Sequence, residues 1–467
     1  MPVYKKPDIY IEEISKLPPS VAEVETAIPA FIGYTSFATR VSAGDLLLVP
    51  KKIFSLKDFE TYYGYPNEDP IAVVVRSDNS GYVSLVSVTE PSLFYFLYFS
   101  VRMFFDNGGG ACYIVSVGTF QTPTTIRLKG DSGSNQSTKY GLMDGLDKVA
   151  LFDEPTLIII PEAVKLSAND YSTLVQAVLL QCSRLGDRFA IFDLYDGGNK
   201  DADFSANRNY FGSNSLKYGA VYYPFIRTSM NFYLKPDETN VFVTYSGGYA
   251  TLDKLKSSNM AVYNFVIAEL KNHFVVIPPG GAIAGVYTAT DRNRGVWKAP
   301  ANLRLTSVIE PICEIDKAHQ DVLNVDAITG KSINAICAFP GKGTLVWGAR
   351  TLAGNDNEWR YIAVRRFFNM VEESLRKSTG WVVFEPNDAN TWVKVRAMIE
   401  NYLILKWQQG ALAGSSPKEA FFVHCGLGTT MTVQDILEGR INVEIGMAAV
   451  RPAEFIILKF SQKLVKS

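Results

Sequence analysis

The stretch that most limits what this chain can become is residues 156–194, "TLIIIPEAVKLSANDYSTLVQAVLLQCSRLGDRFAIFDL". "TLIIIP" (156–161) and "RFAIFDL" (188–194) read as strands, and "NDYSTLVQAVLLQCSRL" (169–185) between them reads as a helix. Strand, helix and strand in succession predict a βαβ unit and so an α/β body. Further strands are expected at "ACYIVSVG" (111–118) and "NVFVTYSGG" (240–248). Helices are expected at "PSLFYFLYFSVRMFFDNG" (91–108) and "DKLKSSNMAVYNFVIAEL" (253–270). The apolar run 27–34 enters the folded body. At 467 residues the chain is long for one core, and two or three domains are expected.

The pattern sharpens from about residue 340. "NEWRYIAVRRFFNMVEESLRK" (357–377) places Val364, Phe367, Phe368, Val371 and Leu375 in one stripe of an amphipathic helix. Arg365, Arg366, Glu372, Glu373 and Arg376 fall on the other side, with Glu372 and Arg376 spaced for an i,i+4 pair. "WVVFEP" (381–386) reads as a strand stopped by Pro386. "ANTWVKVRAMIENYLILKWQQGAL" (389–412) reads as a helix apolar over most of its surface, and so as a buried one. "EAFFVHCG" (419–426) reads as a strand. In "RINVEIGM" (440–447) Ile441, Val443, Ile445 and Met447 alternate with Asn442, Glu444 and Gly446, the mark of a half-buried strand.

Catalytic chemistry has little to stand on. The histidines are His273, His319 and His424, and none has metal-ligand spacing to another His or Cys. His424 and Cys425 are neighbours on an expected strand, so they face opposite ways. "GKGT" (341–344) lacks the order of a phosphate-binding loop and reads as a turn. "GDSG" (130–133) lacks plausible His and Asp partners and reads as a surface loop. The tandem acids Glu12-Glu13 and Glu372-Glu373 cannot face one substrate. The glycines of "PPGGAIAGVY" (278–287) and "DNGGG" (106–110) suit a turn or a close chain approach. No convergent set of catalytic, cofactor-binding or metal-ligating residues emerges.

Net charge is −1, from 46 basic and 47 acidic residues, which gives no reason to expect a nucleic-acid partner or a polybasic membrane contact. The five cysteines are widely spaced without CxxC, as reduced, mostly buried residues in a reducing cytoplasm would be. "MPVYKKPDIYIEE" has no apolar h-region, so export by the general secretory route is not expected. No stretch approaches the length of a membrane helix.

The termini are unusual. "DIYIEEI" near the start reads as a short strand with Ile9 and Ile11 on one face and Tyr10 and Glu12 on the other. "EFIILKF" (454–460), after Pro452, reads as a strand apolar on both faces. Chain ends are ordinarily frayed and polar, so this strand needs a partner. Packing into its own domain, pairing with the chain's own N-terminal strand, and pairing with another molecule all remain open on these residues.

Several stretches resemble the contractile tail sheath family of phages, tailocins and phage-like injection systems. They are "PDIYIEEI…TAIPAFIGYT", "PPGGAIAGVYTATDRNRGVWKAPAN" (278–302), "LVWGARTL" (345–352), "WRYIAVRRFFNMVEESL" (359–375), "WVVFEPND" (381–388), "GALAGSSPKEAFFVHC" and "GRINVEIGMAAVRPAEFIILKFSQ". The extended N-terminal stretch is most similar to sheaths of extracellular contractile injection systems. The resemblance implies a mixed α/β, multi-domain structural subunit and no enzyme or cofactor. Its parts would be an N-terminal arm (1–20), an inserted outer region (21–340), an assembly domain (341–450) and a C-terminal arm (451–467).

The resemblance further implies hexameric rings stacked helically around an inner tube, assembled in the bacterial cytoplasm for a phage tail or a released contractile particle. Partners would be copies of itself, the tube protein, baseplate and terminal cap proteins and sister sheath proteins, with no nucleic acid and no membrane insertion. Another structural tail or tube component, or an α/β enzyme, are the rival readings. The exchanged strands would carry Ile9, Tyr10, Ile11 and Glu12 at one end and Phe455, Ile456, Ile457, Leu458 and Phe460 at the other. Strands 419–426 and 441–447 would accept them. Pro18, Pro19, Arg451 and Pro452 would serve as hinges. Arg365, Arg366, Glu372, Glu373 and Arg376 are candidates for an exposed helix face that meets the tube.

Overall fold

The computed structural model describes residues 20–77, 82–89, 95–120, 125–131 and 139–454. The chain divides into two units: residues 25–370 with 451–467, and residues 1–24 with 371–450. The boundary falls inside the helix Ile362–Ser378, and not at 340/341 where the sequence suggested a domain edge. The reason is strand Gly343–Val346, which pairs antiparallel with Asn334–Phe339 and so belongs to the sheet of the larger unit.

That sheet has nine strands, in the spatial order Leu303–Arg304, Gly343–Val346, Asn334–Phe339, Gly219–Tyr223, Phe189–Asp193, Leu157–Ile159, Pro29–Thr35, Cys112–Thr119 and Lys51–Ile53. From Asn334–Phe339 through Cys112–Thr119 all neighbours run parallel. Its strands are apolar on both faces because both faces are covered. Ala30, Ile32, Ile158 and Ala190 join one core with the helices Leu142–Val149 and Ala168–Leu185. Phe31, Leu157, Ile159, Phe189 and Ile191 join the other, with the helices Leu97–Asp106 and Gly280–Arg294. The expected βαβ unit is present: Leu157–Ile159 and Phe189–Asp193 are parallel neighbours, joined through Ala168–Leu185. Ser167 caps that helix by accepting from the Asp170 N–H, and Gly186, at φ 75°, ends it.

The glycine-rich stretch at 278–287 forms a helix and serves a close approach. A Cβ on Gly281 would stand 2.2 Å from the Ser100 carbonyl oxygen, and one on Gly285 would stand 2.5 Å from that of Phe104. Only glycine lets these two helices pack so tightly. "GKGT" is the expected turn, with Gly341 at positive φ between two paired strands and Gly343, also at positive φ, opening the second of them opposite Phe339.

Within the same unit Gly248–Thr251, Val241–Tyr245, Ile71–Ser77 and Val83–Thr89 form a four-stranded sheet. It has its own core with the helices Leu252–Ser258 and Met260–Leu270. The single helix expected at 253–270 is two, because Asn259 leaves helical geometry and its side chain caps the second by accepting from the Val262 N–H. Phe274–Ile277, Ile226–Asn231 and Val308–Pro311 make a three-stranded antiparallel sheet.

The smaller unit holds the end of Ile362–Ser378, the helix Ala389–Gln408 and a two-stranded sheet of Phe421–His424 and Glu444–Met447. Two expectations are corrected here. "WVVFEP" is no strand: Gly380–Val382 is a short 3₁₀ turn and Phe384 sits at φ 72°, so the stretch turns a corner between two helices. The helix Ala389–Gln408 is not buried all round. Val395, Met398, Ile399, Tyr402 and Leu403 are buried, while Val393 and Leu405 on its other side are more than half exposed.

Candidate assembly sites

The two-stranded sheet is built from the two strands the sequence marked near 419–426 and 441–447. They pair antiparallel, Phe421 opposite Met447, Phe422 opposite Gly446, Val423 opposite Ile445 and His424 opposite Glu444. Val423 is buried and Phe422 faces out, 44% exposed and stacked on His424 with ring centroids 4.8 Å apart. The Phe422 ring lies across the neighbouring strand, where a Cβ on Gly446 would stand 2.1 Å from it. Position 446 must therefore be glycine for the ring to lie flat. Past Met447 the chain is tied down, with the Val450 N–H donating to the Ala411 carbonyl at 3.1 Å. Among the described residues neither strand has a second partner, and an unpaired edge of N–H and C=O groups is what a further strand would extend.

Residues 20–24 lie on the smaller unit. The Ala22 and Val24 N–H groups donate to the hydroxyls of Ser378 and Ser374, each at 3.1 Å, and Glu23 pairs with Lys406. The strand residues Ile9, Tyr10, Ile11, Glu12, Phe455, Ile456, Ile457, Leu458 and Phe460, and the prolines Pro18 and Pro19, lie outside the described residues. Arg451 is exposed and Pro452 half-buried. Glu454, in the larger unit, meets Arg350 in a bidentate ion pair.

The charged face expected on the helix Ile362–Ser378 is not where the sequence suggested. Arg365 and Arg366 are buried, 2% and 3% exposed, and Glu373 is buried as well. The Arg365 guanidinium stacks 4.4 Å from the Trp359 ring centre and donates to Asn369 Oδ1 at 2.7 Å. Arg366 forks onto the buried carboxylate of Asp291, donates to the Thr26 carbonyl at 2.9 Å and lies over the Tyr287 ring. Period alone placed both arginines outside; Asp291 and Thr26, far along the chain, draw Arg366 in, and the Tyr218 ring packs 5.1 Å from the Arg365 guanidinium. Glu372 and Arg376 are exposed as expected. Arg376 pairs with Glu373 at i,i+3.

The parallel sheet has a place where an enzyme of this topology would keep a ligand. Its five strands starting at 29, 112, 157, 189 and 219 stand in the spatial order second, first, third, fourth, fifth. The order reverses between Pro29–Thr35 and Leu157–Ile159, and ligands of doubly wound sheets sit at such a reversal beyond the carboxyl ends of the strands. Here Glu162 fills it. Its Oε1 accepts from the Phe96 and Leu97 N–H groups at 3.0 and 2.8 Å, at the N-terminus of Leu97–Asp106. Its Oε2 lies so close to Gly33 that a Cβ there would be 2.4 Å away. A helix N-terminus that would suit a phosphate is thus taken by the chain's own carboxyl.

Asp193 repeats the device, accepting from the Gly280 N–H at 2.7 Å at the start of Gly280–Arg294. Burial pushes the Glu162 carboxyl up to about 8 and that of Asp193 up to about 7, against the opposing pull of those N–H bonds. Sequence reasoning singled out neither acid. The available signal was a lone charge placed directly after, or at the end of, an apolar strand.

His319 and His424 are exposed and His273 half-buried, and all five cysteines are free. Among the described residues no cluster of His, Cys, Asp or Glu is arranged to hold a metal ion. Among the same residues no helix is long and apolar enough to cross a membrane.

Residues 354–463 match the family model described as the phage tail sheath C-terminal domain. The helical sheath of the anti-feeding prophage in its contracted state is 30% identical, over 99% of this chain and 100% of that one, with a TM-score of 0.65. The sixfold-symmetrised baseplate of the same particle contains a chain 30% identical over 99% of this chain and all of its own length, with a TM-score of 0.63. The tail sheath protein of Enterobacteria phage T4 is 29% identical over 161 residues, 34% of this chain. The chain spans about a quarter of the length of the curated tail sheath proteins it matches, those of Enterobacteria phage T4 and Vibrio phage KVP40.

Proposed function

This chain belongs to the contractile tail sheath family, and on that premise we propose that it works by lending strands to its neighbours and borrowing theirs. Copies assemble as hexameric rings stacked in a helical array around an inner tube. A shortening of that array drives the tube through a target envelope. The observation that carries the reading is a two-stranded sheet with no further strand among the described residues, in a chain with two strand-like terminal stretches. A sheet of two strands is marginal in water. One strand added to each edge makes a sheet of four, with main-chain bonds for attachment and alternate side chains for register.

Each added arm forms about four to six ladder bonds, worth roughly 0.5–1.5 kcal/mol apiece. Burial of Phe455, Ile456, Ile457, Leu458 and Phe460 adds roughly 1.5–3 kcal/mol for each side chain fully covered. The contact is heterologous, so it propagates instead of closing on a dimer. Pro18 and Pro19 give the N-terminal arm a place to turn while its strand stays paired. The tube, baseplate, terminal cap and sister sheath proteins complete the particle, a phage tail or a released injection device assembled in the cytoplasm. The filled reversal point at Glu162 supports a structural role over a catalytic one.

Negative-stain microscopy of particles purified from a producing cell tests the reading. Striated cylinders of two lengths are expected. A chain lacking residues 455–467 is expected to remain soluble and form none. Cylinders of normal length from that truncated chain would reject strand exchange.

A further inference from the structure

The C-terminal arm has a root, and the root is held. Arg350 lies in "LVWGARTL", a stretch whose role the resemblance leaves open, and its side chain is only 4% exposed. Its backbone is fixed first. Its N–H donates to Asn334 Oδ1 at 2.8 Å, its carbonyl accepts from Asn334 Nδ2 at 2.8 Å, and it forms a β-bridge with Tyr361. The guanidinium is then closed off. Nη1 donates to the Asn324 and Gly354 carbonyls, both at 3.4 Å. Nε and Nη2 are left to the Glu454 carboxylate, at 2.9 Å to Oε1 and 2.5 Å to Oε2. The Tyr361 hydroxyl adds a bond to Oε2 at 3.4 Å. A planar fork held by main-chain acceptors presents its two remaining donors in one fixed direction.

We propose that Arg350 is the positioning residue for strand donation: it clamps Glu454 so that the arm leaves the body at Phe455 from a fixed point and on a fixed heading. The inference rests on the strand-exchange reading. It moves the pivot of the C-terminal arm. Glu454, two residues past Pro452, is held to the larger unit by Arg350. A fixed root matters because an arm searching for an acceptor edge loses effective concentration when its origin is loose. Pull transmitted along the paired strands also arrives at this ion pair before it reaches Pro452.

Three full-length variants test the clamp: Glu454→Gln, Arg350→Lys, and an insertion of two glycines between Glu454 and Phe455. In dilute subunits, amide exchange over residues 451–455 is expected to speed at least ~10-fold in Glu454→Gln, with the strand Asn334–Phe339 unchanged. The critical concentration for cylinder formation is expected to rise at least ~10-fold in Glu454→Gln and in the glycine insertion, and less in Arg350→Lys; in the insertion, which keeps the ion pair, the thermal midpoint is expected to stay unmoved. Combining Glu454→Gln with the insertion should raise it by less than the product of the two, since both spoil the same heading. That shortfall is one a purely structural ion pair would not produce. Unchanged exchange and assembly in Glu454→Gln, or effects that multiply in the combined variant, overturn the clamp. Cylinders from the chain lacking 455–467 would instead overturn strand exchange itself.

Discussion

The nine-stranded sheet and the two-stranded sheet solve the same problem in opposite ways. The large sheet ends in strands of two and three residues, Leu303–Arg304 and Lys51–Ile53, which leave almost no edge to extend. Its faces are sealed by helices, and the charges it buries are answered within the fold: Arg366 by Asp291, and the start of Leu97–Asp106 by Glu162. The small sheet has four-residue strands on both edges and an aromatic face turned outward. In the large sheet the central strands are paired on both sides. Among the described residues the strands of the small sheet are paired on one side only. Stability and assembly are therefore expected to respond to different substitutions.

Breaking the closed region should give the largest effects. Asp291→Ala leaves the Arg366 guanidinium buried beside Tyr287 with no carboxylate, and should cost about 3–5 kcal/mol of stability in chemical denaturation. A loss under ~1 kcal/mol would show that the pair is not what holds Thr26 to this core.

Next is pH. Folded Glu162 keeps its proton to about pH 8 against an ordinary 4.5, and folded Asp193 to about 7 against 3.8. The unfolded chain releases those protons earlier, so native stability should fall as pH rises through this window. Glu162→Gln removes its share of the slope, roughly 1.4 kcal/mol per pH unit. The variant should gain on the parent between about pH 5 and pH 8, and parallel pH profiles would contradict the assignment.

Gly446→Val should act on the open region alone. It pushes the Phe422 ring off its neighbour and costs about 1–3 kcal/mol locally. Cylinder formation should suffer while the midpoint of the larger unit stays put. A shift of both would dissolve the contrast between the two sheets. The smallest effect is expected from Arg376→Ala, an exposed member of the pair with Glu373, at about 0.5 kcal/mol or less.

Much of the fold was legible because its signals are local. The apolar strands at 157–159 and 189–193, the helix between them and the strands at 421–424 and 444–447 all follow from period and length. Errors came where a residue's environment depends on distant chain. Arg365 and Arg366 follow Val364 on the helix, and by spacing they belong outside; Asp291 and the Thr26 carbonyl bring Arg366 in, and the Tyr218 ring packs on Arg365. "WVVFEP" has strand composition but no strand to pair with, so it became a corner. The helix Ala389–Gln408 is apolar over more of its surface than its own unit covers.

By itself, then, the sequence determined an α/β body, two strand-like ends and a family likeness, because hydrophobic period and ordered motifs are written in consecutive residues. Which polar groups are buried was decided only by the tertiary structure. Glu162 closing the reversal point of the sheet, Arg366 gripping Asp291 and Arg350 holding Glu454 each join residues dozens of positions apart or more. Burial of a charge depends on finding its partner in space, and no spacing along the chain records that.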